Sequence, residues 1–170
     1  MNRVLGIDPG NVDSAYVVMD KETQKPLEHE KLNNVDLENK LKNGEIQFDE
    51  AVIEMISSYG RIAGHDLFQS CIEIGRLSMI IESMGKTVYG CYRRDVKLHL
   101  TGIASSKDSN VRAALIEMYA QHDFRNGKGS KDNPDWWYKF KTDEWAAAGL
   151  AVTYSQRGPT LVFGGVIKEI

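Results

Sequence analysis

The chain has 170 residues and a mass of 19.1 kDa, of which 42% are hydrophobic and 26% charged, with a formal net charge of −3 and a pI near 5.8. That length is enough to bury a real core in one domain, 1–170, and the composition excludes a fibrous or disordered class. A global basic bias towards nucleic acid is absent, so any such binding must come from local patches.

The first strand is expected over Arg3–Ile7, an apolar run that delivers Asp8 to its tip, where Pro9-Gly10 turns the chain. Ser14–Met19 and Pro26–Leu32 follow as strands two and three, giving an antiparallel meander. Asn33–Glu45 is polar with little periodicity, so a solvent-exposed connection with at most one helical turn is expected. Ala51–Ile56 has a buried-strand composition interrupted by Glu54, and Ser57–Gly64 reads as a loop. Helical spacing runs from His65 to Met84 and stops at Gly85, with more apolar residues than one face needs. Thr87–Tyr92 is the next strand. A helix follows from about Ser109, with Asp108, Ser109 or Asn110 as its cap. Asp123–Tyr138 is a loop expected to be mobile in its first half. Thr142 is expected to cap a last, alanine-dense helix from Asp143 to about Tyr154, and Thr160–Ile170 adds a small strand. Strands followed by alternating helix and strand give a mixed α/β layer fold. Cys71 and Cys91 lack metal-ligand spacing and read as reduced interior thiols. With no signal peptide and no run of transmembrane length, the expected compartment is cytoplasmic, with no membrane contact.

Two constellations carry chemistry. Asp8, Glu54 and Asp143 each sit at or within an apolar segment, where acids are rare unless paired or metal-bound. Taken alone, Asp8 reads as a turn cap and Asp143 as a favourable helix N-terminal charge, while for Glu54 the alternative to a ligand is an edge-strand acid facing solvent. Taken together, they point to a divalent-metal site of the Mg²⁺ kind. Arg93, Arg94, Lys97, Lys107 and Arg112 form a basic segment suited to phosphates, although a charge run is often only a solvated face. Tyr59, Phe68 and Tyr92 lie near these segments as stacking candidates, with at least two of them expected in the core.

Gly6-Ile7-Asp8-Pro9-Gly10 followed by Ala15–Val18 resembles the opening of the RuvC-type Holliday-junction resolvases of the ribonuclease H-like superfamily. Arg94, Val96-Lys97, Gly102, Ala104, Lys107 and Val111 are similar to the family's middle pattern, and Ala147–Tyr154 to its last helix. Loop 126–138 looks longer than in bacterial relatives, more like a phage variant. The resemblance implies a five-stranded mixed sheet flanked by helices, a homodimer, and paired nicking of branched DNA with two Mg²⁺ ions, for which Mn²⁺ substitutes. It makes Asp8, Glu54 and Asp143 the metal ligands and catalytic acids. It also implies a DNA grip by Arg93, Arg94, Lys97, Lys107 and Arg112, and the helix from His65 to Met84 is the expected dimer contact.

The family's fourth acid falls on Ala146. Three readings stay open: three acids suffice, Glu144 moves in, or an inactivating substitution stands at 146. The rival functions are a branched-DNA binder that does not cut, a generic ribonuclease H, and an actin-like phosphotransferase. For the last the chain is too short and lacks a second Asp-Gly loop.

Overall fold

The computed structural model describes residues 2–159 and the backbone of residues 161–162. Its strands are β1 (Arg3–Asp8), β2 (Asp13–Asp20), β3 (Pro26–Asn33), β4 (Glu50–Met55), β5 (Thr87–Tyr92) and the two-residue β6 (Leu161–Val162). They form one sheet in the order β3-β2-β1-β4-β5-β6. β1, β4 and β5 run parallel, while β2, β3 and β6 pair antiparallel to their neighbours. The expected five-stranded mixed sheet is therefore present, and β6 extends its edge by one short strand. The remainder of the expected tail strand lies outside the described residues.

Side chains alternate across each strand, and both faces of the sheet are covered. Leu5, Ile7, Tyr16, Val18, Ala51 and Ile53 pack on one face, under α1 (Asn34–Lys42) and α2 (His65–Ser83). Val4, Val17, Met19 and Val52 pack on the other, under α3 (Arg93–Thr101), α4 (Asp108–Tyr119) and α5 (Glu144–Arg157). The α5 contact demands a missing side chain. A Cβ on Gly6 would stand 2.7 Å from the Ala147 carbonyl oxygen and 3.0 Å from the Ala151 Cβ. Glycine on β1 and alanines on α5 thus let the helix lie against the strand that ends in Asp8.

Several expectations change. Residues 34–42 form a full helix rather than an exposed connection. Asn33 caps it by accepting the Val35 N–H, and Leu37 and Leu41, four apart, bury one narrow stripe. Two buried apolar residues, with Val35 exposed between them and the cap, are too few to register as a period. Residues 93–101 form α3, a helix with no visible period in the sequence for the same reason: Val96 is its one buried residue. Thr142 does not cap α5; Asp143 occupies the cap position and makes no side-chain capping bond. Cys91 is buried, but Cys71 is exposed on α2 rather than interior. Tyr59 and Phe68 are exposed, not core.

The loop from Gln121 to Tyr138 is tied down rather than loose. Trp137 is fully buried against Phe140 and Trp145, and its indole N–H donates to the Leu115 carbonyl. The buried Asp135 carboxylate accepts the backbone N–H groups of Gln121, His122, Asp123 and Trp136. Asp123 accepts those of Asn126, Lys128 and Gly129. Among the described residues, no helix is long and apolar enough to cross a membrane.

Candidate active site

β1 and β4 are parallel, with Ile7 opposite Ile53, so the next residue on each, Asp8 and Glu54, reaches the same end of the sheet. Both lie on the face covered by α5, because they alternate with Ile7 and Ile53, which face the other way. The turn after Asp8 is held by a small network. Ser14 Oγ accepts the Gly10 N–H and donates to Asn34 Oδ1, while Asn34 Nδ2 donates to the Gly10 carbonyl. A Cβ on Gly10 would lie 2.1 Å from the Asp13 carbonyl oxygen, so only glycine allows this turn.

Asp143 arrives from the start of α5. It lines two hollows, one with Asp8 and Lys31, the other with Glu54, Lys97, Asp108 and Arg112. The second is a cleft of about 280 Å³. Its cations are ordered: Arg93 donates to Glu54 Oε1 at 3.1 Å and to Asp108 Oδ2 at 3.0 Å, and Lys97 Nζ lies 3.1 Å from Asp108 Oδ1. Lys31 Nζ pairs with Asp143 Oδ2 at 2.5 Å. Asp8 differs from the other two acids, since among the described residues it makes no hydrogen bond or ion pair through its side chain.

These settings move proton affinities. Burial, then the neighbouring charge of Glu54, pushes the Asp8 carboxyl up to about 8; Asp143 and Asp108 add to the rise and Arg93 opposes it. Burial also raises Glu54, against the pull of Arg93. Asp108 goes the other way: burial would raise it, but Lys97 and Arg93 hold it below the ordinary carboxylate range. A partly buried acid without donors is stabilised either by a proton or by a cation.

The expected metal ligands are thus brought into electrostatic reach of one another. In kind the donor set fits a hard divalent ion, being all carboxylate oxygen. Among the described residues, however, no three His, Cys, Asp or Glu side chains are gathered closely enough to hold an ion as they stand. Arg93 and Lys31 already answer two of the three acids.

Of the expected DNA-binding residues, Arg93 and Lys97 face inward to the acids. Arg112 lines the cleft with its guanidinium 4.9 Å from the Trp145 ring centroid. Arg94 and Lys107 are exposed and outside the cleft lining. Asp108 is the residue missed as a member of the site. As a helix-start acid it looks like a cap in the sequence, and only the folded chain shows it to be the carboxylate shared by Arg93 and Lys97. Ala146 lines the cleft without an acid. Glu144 does not move in to replace one: it is buried, contacts His29 Nδ1 at 3.0 Å and accepts the Lys141 N–H at 2.8 Å.

No family model matches the sequence, and no curated protein matches it. Solved structures do. The chain is similar to the structure of Thermus thermophilus RuvC, with a TM-score of 0.68 and 16% identity over 95% of this chain and 99% of that one. It is also similar to T. thermophilus RuvC in complex with a Holliday junction substrate, with a TM-score of 0.69 and 13% identity over 91% and 93%. The chain therefore has the RuvC fold, as the motif at Gly6–Gly10 led one to expect.

Proposed function

We propose that this chain, built on the RuvC fold, is a metal-dependent endonuclease that nicks branched DNA. The observation that carries the reading is the convergence of Asp8, Glu54 and Asp143, from three separate elements, beside a cleft lined by Lys97 and Arg112. Support also comes from the similar RuvC structure, which holds a Holliday junction. Asp8, Glu54 and Asp143 would hold Mg²⁺, or Mn²⁺ in its place. When bound, two such ions supply an activated water and stabilise the leaving oxygen in phosphodiester hydrolysis.

The chain's own residues do the rest. Lys97 and Arg112 bind and orient phosphates at the cleft, and Arg94 and Lys107 extend the positive surface along the arms. Arg93, paired with the buried Glu54 and the exposed Asp108, compensates the charge of Glu54. Phe68, Ile72 and Met79 are exposed on α2, which supports a dimer through that helix and two sites for a two-fold junction. Recombination, repair or phage DNA processing in the cytoplasm of a host cell is the setting that fits.

The test is cleavage of synthetic four-way junctions in Mg²⁺, beside forks, linear duplex and an RNA–DNA hybrid. Cutting of the branched substrates is expected; preference for the hybrid would instead indicate a ribonuclease H. A second reading is favoured by Ala146 and by the pairing of Glu54 and Asp143 with cations: a branched-DNA binder of impaired activity. In that case the junction is bound but uncut in both Mg²⁺ and Mn²⁺, and Ala146→Asp gains cleavage.

A further inference from the structure

We propose that the open hollow next to the acid cleft holds a DNA strand leaving that cleft, with Phe124 stacked on a base and Arg125 on a phosphate. The inference rests on the nuclease reading above. It names a contact surface beyond the acids, which meets the basic segment at 93–112 only at Ser109 and Arg112.

The hollow, of about 660 Å³, is lined by Arg112, Ile116, Glu117, Phe124 and Arg125, and it shares Ser109 and Arg112 with the acid cleft. A strand emerging past Arg112 therefore meets it directly. Phe124 is 71% exposed, although the loop's Trp137 is fully buried, packed on Phe140 just beyond the loop. The loop has a core available and leaves this ring outside it. Nor is the ring on a loose tip. Asp123 closes the turn around it by accepting the N–H groups of Asn126, Lys128 and Gly129, and Asp135 pins the N–H of Asp123 itself.

Charge fits the same occupant. Neither Arg125 nor Arg112 makes an ion pair within 4 Å among the described residues, and Glu117 is the one acid among the lining residues. An exposed aromatic ring beside unpaired guanidinium groups matches a nucleotide: the ring takes any base face, and the cation takes the phosphate. An acidic peptide would use the arginines but leave Phe124 unexplained.

The experiment measures binding of the full chain to a fluorescently labelled four-way junction in EDTA, across a salt series. Phe124→Ala is expected to weaken binding by about tenfold, the scale of one lost stacking contact, and Arg125→Ala by about tenfold through one lost charge-assisted phosphate contact. Arg125→Ala should also lower the slope of log affinity against log salt by about one phosphate's worth. Phe124→Trp should keep the affinity and add an emission that the junction quenches. Both positions are at the surface, so thermal midpoints should match the parent. If the parent binds the junction, both alanine variants match its affinity and salt slope, and the junction leaves the Phe124→Trp emission unchanged, this inference is overturned and the nuclease reading stands. If the parent binds no branched DNA, the nuclease reading fails and takes the inference with it.

Discussion

Asp135 and Asp8 are both carboxylates largely withdrawn from water, and their surroundings treat them in opposite ways. Asp135 sits in the loop before α5 and accepts four backbone N–H groups, which hold it well below the ordinary carboxylate range although burial alone would raise it. Asp8 sits at the tip of β1 with no such donors and is pushed up to about 8 by burial and by Glu54. Burial therefore does not mark a functional acid. What separates the two is whether the chain itself completes the coordination. Asp135 is finished by the backbone and acts as a structural centre, whereas Asp8 faces two further acids without donors and is stabilised by a proton or by a cation.

The comparison can be broken at either end. Asp135→Asn should cost about 2–4 kcal/mol at pH 7, since backbone donors lose a charged acceptor in a buried site. The sign with pH follows from the depressed folded-state value. Its stabilisation is fully present above the unfolded carboxylate value of 3.8 and is lost as pH falls below it. Urea titrations of parent and variant should therefore converge towards low pH; a gap that stays constant with pH would mean that the charge on Asp135 is not what matters.

Gly6→Ala tests whether close packing of β1 on α5 carries Asp143 to Asp8. A methyl group 2.7 Å from the Ala147 carbonyl must push the helix away, at about 1–3 kcal/mol. Divalent-ion affinity should fall with it. A variant that loses stability but binds Mn²⁺ as before would show that the acids are placed independently of that contact.

The smallest expected effect is at Glu144. Glu144→Gln should cost about 1 kcal/mol through its contacts with His29 and the Lys141 N–H, and should leave Mn²⁺ affinity within about twofold. A large loss of ion binding there would mean that Glu144 belongs with Asp8 after all.

Much of this was legible in the residues. The alternating apolar strands and the Asp8-Pro9-Gly10 break gave the sheet, and a lone acid inside Ala51–Ile56 marked Glu54 because burial makes such acids rare. What stayed hidden was set by partners distant in sequence. α1 and α3 bury too few side chains to leave a period, and Asp135 looked like any loop aspartate until four N–H groups folded round it. Asp108 counted as a cap because its partners Arg93 and Lys97 come from another helix. Glu144 was open as a substitute ligand because helix geometry alone does not reveal that His29, on β3, occupies it.

The central claim of the proposed function is that Asp8, Glu54 and Asp143 take up a divalent cation, with Arg93 and Lys31 yielding Glu54 and Asp143 to it. Titration of the full chain with Mn²⁺, followed by electron paramagnetic resonance of the free ion, tests it most directly. The account predicts saturable binding by the parent and a loss of more than about 100-fold in affinity for Asp8→Asn, beyond what removal of an outer-shell partner costs. Equal binding by parent and Asp8→Asn, with both folded, would contradict it.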